Sequence, residues 1–163
     1  VSNPTLGIED TWWDGSEYHA RVWTDLPRPS YTYDEDANGA FYIRNSDNIE
    51  NDRASEYVVV EFRLQAPRQK GDVYINGMWT NNQYIPQYIM TYNEIDRQYE
   101  AKVKLKQGYY SYRYVVVDND RPLPVTSEGN FFQTENTYQA LVYYRGIGQR
   151  TDLLVGYKDL KFK

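Results

Sequence analysis

"YEAKVKLKQGYYSYRYVVVD", residues 99–118, decides the fold class. From Tyr99 to Leu105 apolar and charged residues alternate. Tyr99, Ala101, Val103 and Leu105 share one face, and Glu100, Lys102 and Lys104 share the other. A period of two is the signature of a half-buried strand, because successive side chains point to opposite faces. Gln107-Gly108 reads as a turn. Tyr109 to Asp118 then reads as one long strand that closes a hairpin with the first.

The same pattern extends in both directions. Tyr57 to Leu64 alternates, with Val58, Val60, Phe62 and Leu64 on one face, and Asp72 to Asn76 is a further strand. Tyr138 to Arg145 and Leu153 to Tyr157 are two more, joined by the loop Gly146-Ile147-Gly148-Gln149-Arg150. Nearer the start, Tyr18 to Trp23 reads as a strand and Leu26-Pro27-Arg28-Pro29 as a break. Tyr31 to Tyr33 and Phe41 to Ile43 flank Asn38-Gly39, a strong hairpin signal. No helical period appears. Many short strands with frequent turns predict an all-β, Ig-like antiparallel β-sandwich. The polar stretch Asp47 to Ser55 is the best internal boundary. It sets residues 1–53 apart as an N-terminal β extension, or the end of a preceding domain, from a sandwich over 54–163.

The 163 residues suffice for one domain with a real core. Basic residues number 18 and acidic residues 23, giving a formal charge of −5. No basic stripe is present, so nothing points to nucleic acid. No apolar run is long enough to span a bilayer, so any membrane association is expected to be peripheral. Without cysteine, disulfides and thiolate metal sites are excluded. No signal peptide stands in the sequence, which starts at Val1 as a chain cut from something longer would. Aromatic content is high: 18 tyrosines, 4 tryptophans and 5 phenylalanines, the composition of amphipathic strands.

Catalytic chemistry finds little to use. His19 is the sole histidine. It lies in an alternating strand, where it is expected to face solvent, and no nucleophile-elbow motif accompanies it. Asp34, Asp36 and Asn38, followed by Gly39, match the start of a calcium loop. The twelfth position, however, is Asn45 rather than a bidentate glutamate, and the flanks are strands. The competing reading is a hairpin turn whose acids keep a sheet edge soluble. No metal and no cofactor are expected.

"GDVYINGMWTNNQY", residues 71–84, raises the functional question: a strand ends in Gly77 and delivers Trp79 beside Asn81 and Asn82. Trp79 is either part of a sugar-binding rim or a plug at a strand corner. The order Val73-x-Ile75-x-Gly77, then Asn-Asn, Met90, Leu105-x-x-Gly108-Tyr109-Tyr110 and Tyr112-x-Tyr114 resembles the early-set glycogen-binding modules over residues 58–118. A longer series covers nearly the whole chain. It includes Tyr33-x-x-Asp36-x-Asn38-Gly39-x-Phe41, Gly71-Asp72-Val73-Tyr74-Ile75-x-Gly77 and Met90-x-Tyr92-Asn93. Leu105-Lys106-Gln107-Gly108-Tyr109-Tyr110 and Glu128-Gly129-Asn130-x-Phe132-x-Thr134-Glu135-Asn136 continue it. It ends in Val142-Tyr143-Tyr144-Arg145-x-x-Gly148-x-Arg150-x-Asp152-x-Leu154-x-Gly156. This series resembles the C-terminal region of a Bacteroidetes domain-of-unknown-function family, one associated with the Plug protein of the type IX secretion system.

The second resemblance implies a periplasmic, outer-membrane-associated, non-enzymatic interaction module that contributes to docking at, or gating of, a secretion translocon. Its expected partners are translocon proteins, through Tyr143, Tyr144 and Arg145. The first resemblance implies the alternative, a carbohydrate-binding module with an altered sugar site. Laid on its pattern, the sugar-stacking tryptophan falls on Asn82 and Trp79 takes the inward apolar position. A glycan would then rest on Asn81, Asn82, Tyr84 and Tyr88.

Overall fold

Alternation buries one face of each strand only where a second layer covers it, so pairing decides what the pattern means. The computed structural model describes residues 7–27, 40–43, 55–119, 121–125 and 136–162. Its strands are β1 (Ile8–Trp13), β2 (Tyr18–Val22), β3 (Phe41–Ile43), β4 (Tyr57–Leu64), β5 (Asp72–Asn76) and β6 (Thr91–Asn93). They continue as β7 (Gln98–Lys106), β8 (Gly108–Tyr110), β9 (Arg113–Asp118), β10 (Arg121–Pro124), β11 (Asn136–Tyr144) and β12 (Leu153–Phe162). Two single 3₁₀ turns, Met78–Thr80 and Pro86–Tyr88, are the helical elements among the described residues. The fold is an all-β sandwich.

The chain divides into two compact units, Val1–Gly129 and Asn130–Lys163. The first holds a five-stranded sheet in the order β1-β2-β4-β7-β6, a three-stranded sheet β10-β9-β5 and the pair β3-β8. The expected boundary near residue 53 lies outside the described residues. Strands β1 and β2, which precede it, hydrogen-bond into the same sheet as β4.

Register puts the apolar sets of β4 and β7 together. Val58 pairs with Leu105, Val60 with Val103, Phe62 with Ala101 and Leu64 with Tyr99. Phe62 and Leu64 join Val22, Tyr99, Val103 and Leu105 in one buried cluster with Val73, Ile75 and Tyr114 of the other sheet. Both sheets therefore enclose a single core. The opposite face of the five-stranded sheet is ionic: the Glu61 carboxylate accepts from Arg21 Nε at 3.0 Å and pairs with Lys102 Nζ at 2.7 Å.

The pairing holds one exception to the antiparallel rule and corrects one expectation. The β2–β4 pairing is parallel. A parallel neighbour needs a long crossover, and the connection from Val22 to Tyr57 supplies one. The hairpin expected between Tyr99–Leu105 and Tyr109–Asp118 does not form. The chain breaks at Ser111-Tyr112. Strand β8 pairs with β3, while β9 pairs with β5 and β10. Nor is Gly108 there for a turn: a Cβ on it would collide with the Tyr42 carbonyl, so glycine admits the close approach of β3. Strand β1 and the proline-bearing β10 are additional to the sequence reading. Pro122 and Pro124 are tolerated because β10 is an edge strand.

The second unit is the hairpin β11–β12, paired antiparallel through most of its length. Residues 145–152 connect the strands, as the loop at Gly146–Arg150 predicts.

Candidate functional site

Gly77 ends β5 with an extended backbone, φ −172°, which any residue adopts. Space is what demands glycine. A Cβ there would lie 2.6 Å from Trp79 Nε1 and 2.7 Å from the Ser111 carbonyl oxygen. The missing side chain lets the indole fold back beside the strand end, where its N–H donates to the Ser111 carbonyl at 3.0 Å. The Trp79 ring meets Phe62, Tyr88 and Tyr110 at centroid distances of 6.4, 5.5 and 5.5 Å. Trp79 therefore packs on the core, half-buried, and fixes the point where the chain changes sheets.

The asparagine pair has a backbone explanation. Thr80, buried, donates from Oγ1 to the Gly77 carbonyl at 2.8 Å and closes a tight turn. Asn81 and Asn82 follow with φ of 52° and 53°, the left-handed region that asparagine tolerates best after glycine. Both are exposed. The Tyr84 ring rests edge-on to Tyr74 at 5.6 Å, and Tyr88 rests edge-on to Trp79. The two tyrosines are half-buried in these contacts, and Asn82 presents an amide where a stacking ring would be needed.

His19 corrects its expectation. Its side chain is 11% exposed and does not face open solvent. Trp12, its cross-strand partner, stacks on it at 5.0 Å, and Nε2 lies 2.8 Å from Asp14. Asp14 also accepts from the Ser16 hydroxyl at 2.9 Å and from the backbone N–H groups of Glu17 and Ser16. Those backbone donors, chiefly Glu17, hold its carboxyl far below the usual range. Asp14 thus stands between Ser16 and His19, and the hydroxyl meets a carboxylate rather than an imidazole. That order does not make a nucleophile and its base. Among the described residues, no three His, Asp or Glu side chains gather where they would hold a metal ion. Asp34, Asp36 and Asn38 lie outside the described residues.

Tyr143 and Tyr144 end β11 on opposite faces, and each is 58% exposed. Alternation holds, but within the second unit no further described strand lies on either face. Arg145 gives its guanidinium to Asp152 in a bidentate pair, 2.7 Å from Nε and 2.9 Å from Nη2, across the mouth of the loop. The register places Tyr138, Val142, Tyr144, Leu153 and Leu160 on one face and Leu141, Tyr143, Leu154 and Tyr157 on the other. All of these are exposed. Near the base of the second face, Gln139 donates to Asp159 at 3.3 Å and Tyr157 also bonds Asp159. A bulge between Val142 and Tyr143 sets Val155 opposite no residue of β11. The contribution of β12 went unrecognised in the sequence. The signal was there: Ala140-Leu141-Val142-Tyr143-Tyr144 and Leu153-Leu154-Val155 are continuous apolar runs, which place apolar side chains on both faces.

No helix among the described residues is long and apolar enough to cross a membrane. No protein-family model matches the sequence, and no curated protein does. The crystal structure of a hypothetical protein from Parabacteroides merdae is similar, at 36% identity and a TM-score of 0.86. The similarity covers 96% of this chain and 41% of that one, so the chain spans less than half the length of its structural neighbour.

Proposed function

We propose that the chain is a non-enzymatic interaction module of an outer-membrane-associated secretion protein, similar to the Plug protein of the type IX system. It docks at, or helps gate, the periplasmic side of the translocon through the β11–β12 hairpin. The observation that carries this reading is the hairpin's double apolar surface, rich in tyrosine and leucine and exposed on both faces among the described residues. Exposed apolar area of that kind marks interaction sites, and tyrosine supplies contact area at low entropic cost. The family series supplies the partner, by analogy. Arg145, engaged with Asp152, acts by shaping the loop rather than as a free contact. The carbohydrate alternative is weaker, because Tyr84 and Tyr88 spend their rings on Tyr74 and Trp79. An enzymatic reading lacks a nucleophile facing His19.

The test is co-purification of the translocon with the full-length parent protein from its own membranes, with Tyr143→Ser and Leu154→Ser introduced together. Recovery should fall at least about tenfold, as for loss of hot-spot side chains, while melting is unchanged. Undiminished recovery with a folded variant would remove the hairpin as the dock. Retained binding to soluble glucans in wild type, lost in Tyr84→Ala or Tyr88→Ala, would favour the alternative.

A further inference from the structure

Seven described residues have positive φ: three glycines, three asparagines and Arg97, at 53°. Glycine and asparagine are the residues this backbone tolerates, and arginine is not among them. Arg97 closes the turn between β6 and β7. Asn93 starts that turn by accepting, at Oδ1, the N–H groups of Ile95 at 3.0 Å and Asp96 at 3.2 Å. Nothing in the turn itself calls for arginine at its end.

What Arg97 borders is a cleft of about 710 Å³ in the first unit. Its apolar floor is Leu26, Pro27, Ala66 and Pro67. The wall at residues 25–27 is held by backbone bonds: Asp25 N–H donates to the Arg63 carbonyl and Gln65 N–H to the Asp25 carbonyl, each at 2.9 Å. Arg68 lies over the Tyr92 ring at 5.9 Å and is paired with Glu94. The neighbouring acid Asp96 accepts from Asn93 Nδ2 at 2.9 Å. Both local acids are therefore engaged. Arg97 has no hydrogen-bond or ion-pair partner among the described residues. A cation free of local partners, in a backbone conformation unfavourable to it, beside an apolar floor, is an arrangement for a carboxylate on an apolar body.

We propose that this cleft binds an apolar carboxylate, with the Arg97 guanidinium taking the carboxylate and Leu26, Pro27, Ala66 and Pro67 taking the apolar group. The site is separate from the β11–β12 hairpin and stands without the docking reading. A peptide C-terminus and a free short-chain acid share this chemistry.

The experiment titrates the whole chain with acetyl-Pro-Leu bearing a free C-terminus, with its C-terminal amide, and with hexanoate, followed by backbone amide NMR shifts. Saturable shifts at Ala66, Arg68 and Arg97 are expected with the free-acid peptide, and none with the amide. Matching shifts with hexanoate would identify a general acid site; their absence would identify a peptide-terminus site. Arg97→Asn should weaken binding at least about tenfold, the loss expected for a charged hydrogen bond, with an unchanged or higher melting temperature. Four outcomes would overturn the proposal: equal binding of acid and amide, no saturable shift up to about 10 mM acid, undiminished affinity in Arg97→Asn, or a lower melting temperature in that variant.

Discussion

Strands β4 and β7 are eight and nine residues long, and β11 and β12 are nine and ten. All four are rich in Val, Leu and Tyr, and both pairs are antiparallel with well-matched registers. Their outcomes differ. Phe62 of β4 is 2% exposed, whereas Leu154 of β12 is 53% exposed. In the first unit a second sheet brings Val73, Ile75 and Tyr114 against the apolar face and leaves the other face ionic. In the hairpin both faces carry exposed apolar side chains, and within the second unit no further described strand lies on either. A two-stranded ribbon is marginal in water by itself, and exposed apolar side chains on it are what the proposed docking role would use. Strand propensity builds the ribbon; only a covering layer turns it into a core.

The largest test of this difference compares Phe62→Ala with Leu154→Ala by urea unfolding of the chain. The Phe62 variant should lose about 3–5 kcal/mol, and the Leu154 variant should stay within about 0.5 kcal/mol of wild type. Equal losses would mean that the hairpin is covered. Trp79→Ala should come next, at about 2–4 kcal/mol, because the ring is half-buried yet touches three aromatic neighbours. Tyr114→Phe probes one polar contact in the core, where the hydroxyl donates to Asp25 Oδ2 at 2.5 Å. Its removal should cost about 1–2 kcal/mol without moving any apolar surface.

The smallest effect sharpens the ionic side of the comparison. Burial pushes the Glu61 carboxyl up, but Lys102 and Arg21 outweigh it and hold the group below its ordinary value of 4.5. A carboxyl depressed by folding binds fewer protons in the folded state. Its stabilisation is complete above the unfolded value and is lost as pH falls through the folded one. Wild type should therefore lose stability below about pH 4.5 faster than Glu61→Gln, and the two curves should run parallel near neutrality. Parallel curves throughout would show that the Arg21–Glu61–Lys102 row contributes nothing to folding.

Strand existence was legible wherever alternation was clean, as in Tyr57–Leu64 and Asp72–Asn76, because period two is a local property. Pairing was not. Tyr109–Asp118 reads as one strand since its alternation continues through Ser111-Tyr112, and the switch between sheets is set by partners distant in sequence: β3, β5 and the Trp79 indole. Strand β10 was not read from the sequence: Pro122 and Pro124 fit a strand only at a sheet edge, and sequence does not show which strands lie at edges. The inward packing of Trp79 was legible only through the resemblance, which put the sugar-stacking position on Asn82; the room that the missing Gly77 side chain makes for the indole is seen in the structure alone. The role of Asn81 and Asn82 as left-handed turn residues was not, because the sequence does not show φ. Exposure of Tyr143 and Tyr144 could not be read from alternation, which assigns faces but not what covers them.

The most direct test of the open hairpin is native-state hydrogen exchange of the purified chain, resolved by residue. The predicted result is weak protection across 136–144 and 153–162, with opening free energies well below those of Phe62, Val103 and Val115, which should exchange near the global limit. Protection of the β11 and β12 amides equal to that of β4 and β7 would show that another layer already covers the hairpin, and would contradict the claim that it is held open for a partner.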